Sequence, residues 1–168
     1  MKVRTLEPAD ASAAIALRRE ALSSFPLAFG ASLEDDRGLS LEFMRSSLAD
    51  VASSAVLGAF EGEALVGMVG IVRLEKLKSR HRAMIWGMFV TPKARRRGVG
   101  AALLGSAIDR ARSWPGVIQV QLSVFETAEE AHRLYRLAGF REWGVEPRAI
   151  QWEGRFVAEH HLVLELTV

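Results

Sequence analysis

The chain has 168 residues, a length that suits one domain able to bury about two thirds of its unfolded surface without a staple. Hydrophobic residues make up 49% and charged residues 25%, an ordinary balance for a soluble globular protein. Cysteine is absent, which excludes disulfides, thiolate nucleophiles and thiolate metal sites and points to a reducing, cytoplasmic setting. The net charge of +2 is too small to argue for a nucleic-acid partner, although three arginines stand together at Arg95, Arg96 and Arg97. Met1-Lys2-Val3-Arg4 lacks an apolar core with a small-residue cleavage site, so no signal peptide is expected. No apolar run is long enough to cross a bilayer, so no membrane partner is expected either.

In chain order, Met1–Leu6 reads as a short strand. Glu7-Pro8-Ala9-Asp10 looks like a helix start, with Asp10 as a candidate cap, and Ala14, Leu17, Ala21 and Leu22 recur at helical spacing over Ala11–Leu22. Phe25-Pro26 and Gly30 break that pattern. A second helix is predicted over Leu41–Ala49, opened by Ser40 and burying Phe43, Met44 and Leu48. Ala55–Phe60 and Ala64–Leu74 flank Glu61-Gly62-Glu63 and read as a hairpin. Met84–Val90 is a further strand, stopped by Thr91-Pro92. The helix from Val99 to Arg112 carries the stripe Leu103, Leu104, Ala107, Ile108 and Ala111. Val117–Val124 alternates as a strand, Glu129–Ala138 is a helix closed by Gly139, and two last strands lie near Arg141–Ile150 and Phe156–Leu166. No repeat, low-complexity tract or linker interrupts this order, so residues 1–168 read as one α/β domain. The crossover from Met84 to Val124 is expected to be parallel and right-handed.

The informative stretch runs from Val90 to Leu104: a strand end, a tight basic loop with two glycines, then a helix N-terminus. Helix N-termini present unpaired N–H groups and partial positive charge, glycines let backbone approach an anion, and arginines add charge and donors. A pyrophosphate is the natural guest. The pattern is neither a dinucleotide-binding Gly-x-Gly-x-x-Gly nor a Walker A loop, because basic residues precede only two glycines and no Gly-Lys-Ser/Thr follows. Read without its flanks, the triplet Arg95–Arg97 also fits a solvated charge run or a nucleic-acid contact, but interleaved aromatics and a broader basic face are missing.

With its flanks, the segment resembles the acetyl-CoA pyrophosphate loop of the GNAT superfamily, Gln/Arg-x-x-Gly-x-Gly/Ala after Val-x-Pro. Arg95 takes the Gln/Arg place, and Gly98 and Gly100 take the glycine places. Ala131-His132-Arg133-Leu134-Tyr135-Arg136-Leu137-Ala138-Gly139-Phe140 resembles the Ala-x-x-Leu-Tyr-x-x-x-Gly-Phe of the same superfamily. The two matches cover roughly Met84–Phe140; the first eighty residues match only in layout. The resemblance implies a mixed central sheet of about seven strands flanked by about four helices. It also implies direct acetyl transfer from acetyl-CoA to an amine acceptor, with no metal and no nucleic acid, and allows a homodimer built with the last strands. Arg95, Arg96, Arg97, Gly98, Val99, Gly100 and Ala101 would then hold the pyrophosphate. A free N–H near Met88, Phe89 or Val90 would stabilise the oxyanion, and the pantetheine arm would lie along that strand. Gly87, in mid-strand, suits a bulge or a close approach of another chain.

Tyr135, the only tyrosine, takes the place of the family's proton donor to the leaving thiolate; taken alone it reads more readily as an ordinary half-buried helix aromatic, and the motif reverses that preference. Two departures matter. The asparagine that many relatives carry three residues before the motif's alanine is Ala128 here, unless Thr127 or Glu126 substitutes. Arg82–Val90 offers no carboxylate or histidine as general base, which leaves Glu126, His81 or a water relay. These departures support an alternative, a non-catalytic CoA-binding sensor or partner module. His160-His161 does not read as a metal site, because strand neighbours face opposite sides and no acidic cluster of ligand spacing accompanies them. Trp86, Trp114, Trp143 and Trp152 read as core or edge anchors, with Trp86 a possible wall for the substrate.

Overall fold

In the computed structural model, which describes residues 1–166, seven strands form one sheet in the order β1-β2-β3-β4-β5-β7-β6. The strands are β1 (Lys2–Thr5), β2 (Ser54–Glu61), β3 (Ala64–Arg73), β4 (Arg82–Val90), β5 (Gln119–Phe125), β6 (Arg141–Trp152) and β7 (Arg155–Glu165). The helices are α1 (Ala11–Ser24), α2 (Leu41–Ala49), α3 (Val99–Ser113) and α4 (Glu129–Leu137). Every neighbouring pair is antiparallel except β4 with β5. The crossover through α3 therefore joins parallel strands, as predicted. Among the described residues no helix is long and apolar enough to cross a membrane.

Two apolar layers sandwich the sheet. On one face α1 and α2 bury Leu17, Ala21, Met44 and Leu48 against Val56, Phe60, Met68 and Phe89. On the other face α3 buries Leu103, Leu104, Ala107, Ile108 and Ala111 against Leu57, Ala59, Val69, Ile71, Ala83 and Ile85. Alternate residues of β2 thus serve opposite layers, which is why its sequence is a nearly continuous apolar run. The α3 stripe is fully buried, and truncating one leucine in it costs about 2–5 kcal/mol.

Local signals mostly translate directly. Ser40 caps α2 by accepting the Phe43 N–H at 3.4 Å. Gly139 closes α4 at φ +93°. The β6–β7 turn is two residues, Glu153 and Gly154, both at positive φ, which matches the right-handed twist of a hairpin.

Two expectations need correction. The Asp10 carboxylate makes no side-chain cap on α1; it accepts Arg4 at 2.6 and 2.8 Å and the Glu7 N–H at 2.8 Å. Phe43 is not buried by α2 but stays 38% exposed under the Arg37 guanidinium. The tryptophans divide as core and edge residues: Trp114 enters the core, Trp143 and Trp152 lie on the edge strand β6, and Trp86 stays 42% exposed on β4.

Candidate functional site

The site begins where the sheet comes apart. β4 pairs with β5 only from Arg82↔Gln119 to Met84↔Gln121, after which the two strands diverge while β5 stays paired with β7 through Phe125. The cause lies on β4. Between Met68↔Phe89 and Gly70↔Trp86, two steps on β3 face three on β4, so β4 carries one extra residue. Gly87 absorbs it at φ +61°, a conformation that glycine adopts without a Cβ penalty. The bulge also shifts the alternation: Ile85 faces the α3 layer and Trp86 the other side, yet Met88 packs on the α3 layer and Phe89 on the α1 layer.

The resulting wedge is a cleft of about 920 Å³ with Ile85–Val90 on one wall and Leu122–Val124 on the other. Its mouth is the loop into α3. Gly98 caps that helix at φ +80°, and Arg96 is also left-handed at φ +61°. Ala102 is the first residue to bond back, to the Gly98 carbonyl at 3.0 Å, so the N–H groups of Val99, Gly100 and Ala101 have no helical partner. Nothing lies within 4 Å of where a Gly98 Cβ would be, which leaves the cradle open to an anion. Gly100 serves packing instead, because a Cβ there would stand 3.3 Å from Leu134 of α4.

The three arginines have separate places. Arg95 bonds the Val90 carbonyl through Nε at 2.9 Å and covers the Phe25 ring at 4.4 Å, tying the end of α1 to β4. Arg96 lines the cleft, and among the described residues no carboxylate pairs with it. Arg97 pairs with Glu61 at the end of β2 and is not part of the cleft wall.

Tyr135 projects from α4 into the cleft. It is 6% exposed, and burial pushes its phenol up to about 12. The hydroxyl has the Met88 sulfur as partner at 3.6 Å, and the ring meets Phe140 edge-on. A phenol in such a place stays neutral and keeps a proton to donate. Met88, Phe89 and Val90 all lie on the β4 wall, with the Phe89 ring turned toward Phe25 and Phe29.

Glu126 stands elsewhere. It is exposed, its carboxylate accepts the Ala158 N–H at 3.0 Å, and it is not part of the cleft wall. Thr127 does line the cleft, but its hydroxyl donates to the Leu27 carbonyl at 2.8 Å. Sequence reasoning missed Ser123, which lines the β5 wall and donates to Glu159 at 2.5 Å. Alternation along Val117–Val124 puts Ser123 on the polar side, but only β5–β7 register brings Glu159 to it. The same register corrects the reading that no acidic cluster accompanies His161. Glu146 and Glu159 are direct partners across β6 and β7, and with His161 their ligand-type atoms lie within 4.8 Å of one another. His160 faces the other side, bonded to Glu142 at 2.7 Å and edge-on to His132, whose imidazole is held below its ordinary range by burial and then by His160.

Comparison with known proteins agrees with this geometry. The family model described as the acetyltransferase (GNAT) family matches residues 15–140. No curated protein matches the sequence. Among solved structures, a GNAT-family acetyltransferase from Streptococcus pneumoniae superposes with a TM-score of 0.87 at 25% identity, covering 98% of this chain and 99% of that one. A GCN5-related N-acetyltransferase from Kribbella flavida gives 0.83 at 28% identity, covering 98% and 97%. The fold is also that of yncA from Salmonella typhimurium, solved with its cofactor acetyl-CoA, at a TM-score of 0.84 and 20% identity over 100% and 95% of the two chains. With three quarters of its length matched by the family model and its fold superposing on such an enzyme over nearly the whole chain, this chain belongs to the GNAT family of acetyltransferases.

Proposed function

We propose that the protein transfers an acetyl group from acetyl-CoA directly to a primary amine of a small molecule or peptide. The observation that carries this reading is the wedge between β4 and β5, which runs from the buried Tyr135 hydroxyl to three unpaired N–H groups at the start of α3. Those N–H groups, on Val99, Gly100 and Ala101, receive the pyrophosphate, and Arg96 adds a charged donor. Arg95 holds the loop against β4, and Arg97 supplies charge from outside the wall. The unpaired edge of β4 from Met88 to Val90 takes the pantetheine arm as an added strand, and its N–H groups face the oxyanion.

In the transfer the amine nitrogen bonds to the thioester carbonyl carbon and the carbon–sulfur bond breaks. Tyr135 gives its phenolic proton to the departing thiolate and regains one from solvent. The amine's proton leaves through the Ser123 hydroxyl to Glu159. Ser123 lines the cleft and is bonded to Glu159, whereas the Glu126 carboxylate is engaged with the Ala158 N–H.

The test is thiol release from acetyl-CoA across a panel of amines, amino acids, aminoglycosides and short peptides, with Tyr135→Phe in parallel. Acceptor-dependent release that falls in the variant supports the reading. Acceptor-dependent release that Tyr135→Phe leaves unchanged removes Tyr135 from the chemistry. Acetyl-CoA binding with no release for any acceptor favours the non-catalytic CoA-binding module.

A further inference from the structure

On the α1–α2 face of β4 lies a second cavity, of about 280 Å³. Trp86 and Gly87 line both this chamber and the cleft, so the two spaces meet at the β4 bulge, beside the wall assigned to the thioester. Phe43 and Met44 of α2, Val56 of β2 and Met68 of β3 supply most of its remaining apolar wall. The Trp86 indole lies across Gly70: a Cβ built on Gly70 would fall 2.1 Å from the ring. The residue remains 42% exposed, so much of its indole is left uncovered by the described residues.

The buried charges beside the chamber are already matched. Arg18 holds Asp36 through Nε at 2.7 Å and Nη2 at 2.5 Å, and Asp36 also accepts the Gly38 N–H at 2.6 Å. Both side chains are largely buried, at 14% and 6% exposed. Asp35 accepts the N–H and the hydroxyl of Ser32 at 2.7 and 3.0 Å, and Arg37 lies over the Phe43 ring at 4.5 Å. Two acids and two arginines leave no net charge on the wall, and its buried carboxylate, Asp36, already has its cation, so a second ammonium group drawn inside would lose its water with no buried carboxylate to receive it.

We infer that this chamber holds the apolar part of the acceptor, so that the substrate is a primary amine bearing one aromatic or branched aliphatic group rather than a polyamine or an aminoglycoside. The inference rests on the acetyl-transfer reading above. The acceptor's ring or branch packs between Trp86 and Phe43, and its amino group emerges at Gly87, where the chamber opens on the cleft.

Two measurements test it. With acetyl-CoA, kcat/KM for 2-phenylethylamine and 3-methylbutylamine is expected to exceed that for spermidine and kanamycin by about tenfold or more. Gly70→Ala, which displaces the indole, and Phe43→Ala, which removes the opposite wall, should each lower kcat/KM for 2-phenylethylamine about tenfold, chiefly through KM, with the Kd of acetyl-CoA unchanged. Preference for spermidine or kanamycin, or a preference indifferent to both substitutions, overturns the inference. Calorimetric titration of 2-phenylethylamine and of spermidine into protein saturated with CoA reads the chamber without turnover. Saturable binding of 2-phenylethylamine that weakens in both variants supports the inference; binding of spermidine alone, or of neither amine, overturns it. Intact amine binding without thiol release would instead count against the catalytic reading and leave the chamber's assignment standing.

Discussion

The Tyr135 hydroxyl and the Met88 sulfur face each other at 3.6 Å across the cleft, one from α4 and one from β4. The contact exists because Gly87 inserts an extra residue and turns Met88 toward the α3–α4 layer. A thioether is a weak acceptor, so little competes with a thiolate for the phenolic proton. Tyr135→Phe keeps the ring and its packing on Phe140 and removes only the donor. kcat is expected to fall about a hundredfold, with the Kd of acetyl-CoA unchanged by calorimetry.

Burial raises the Tyr135 phenol from 10.0 to about 12. Below pH 10 the group is neutral in both the folded and the unfolded chain, so it adds no pH dependence to stability there. Between pH 10 and 12 the unfolded chain gives up the proton and the folded one keeps it, so stability falls as pH rises, by about 1.4 kcal/mol per pH unit from this group. Urea denaturation at pH 9, 10 and 11 should show this decline in the parent, and Tyr135→Phe should remove that share of it.

Gly87 and Gly98 both hold left-handed backbone, at φ +61° and +80°. Gly98→Ala meets no atom within 4 Å, so its cost is conformational alone, about 1–2 kcal/mol, and it should appear as weaker acetyl-CoA binding. Gly87→Val acts on the bulge, so kcat/KM should fall more than the Kd for acetyl-CoA rises. Titration and steady-state kinetics on the two variants separate these effects.

Arg96 and Arg97 are neighbours with unequal tasks. Arg96→Ala should weaken acetyl-CoA binding about tenfold and flatten its dependence on salt. Arg97→Ala removes an exposed pair with Glu61, worth under about 1 kcal/mol, and should alter affinity little. Equal losses in the two variants would move Arg97 into the phosphate site.

Glu159 and Glu126 divide the question of the base. Glu159→Gln leaves Ser123 with a neutral partner and should lower kcat about tenfold or more at neutral pH, with partial recovery as pH rises and the free amine becomes abundant. Glu126→Gln keeps an oxygen for the Ala158 N–H and should leave kcat within about twofold. The reverse pattern in pH–rate profiles would return the base to Glu126.

The residues from Val90 to Leu104 determined the glycine loop and the open helix N-terminus by themselves, because both are set within a few residues. The same holds for the α3 stripe, the Ser40 cap and the place of Tyr135 on its helix, each set within a few residues. Gly87 left a bulge, a close approach and plain close packing open in the sequence, and the β3–β4 register decided for the bulge. What depended on partners far along the chain was decided only by the tertiary structure. Strand register alone joined Ser123 to Glu159 and set Glu146 and His161 beside it. Helix placement alone left Trp86 uncovered and matched Arg18 with Asp36, so the acceptor chamber and its neutral wall had no signature in sequence. Local motifs encode where a cofactor's phosphates can bind, whereas the shape and charge beside the reacting atoms come from long-range packing, which sequence order does not display.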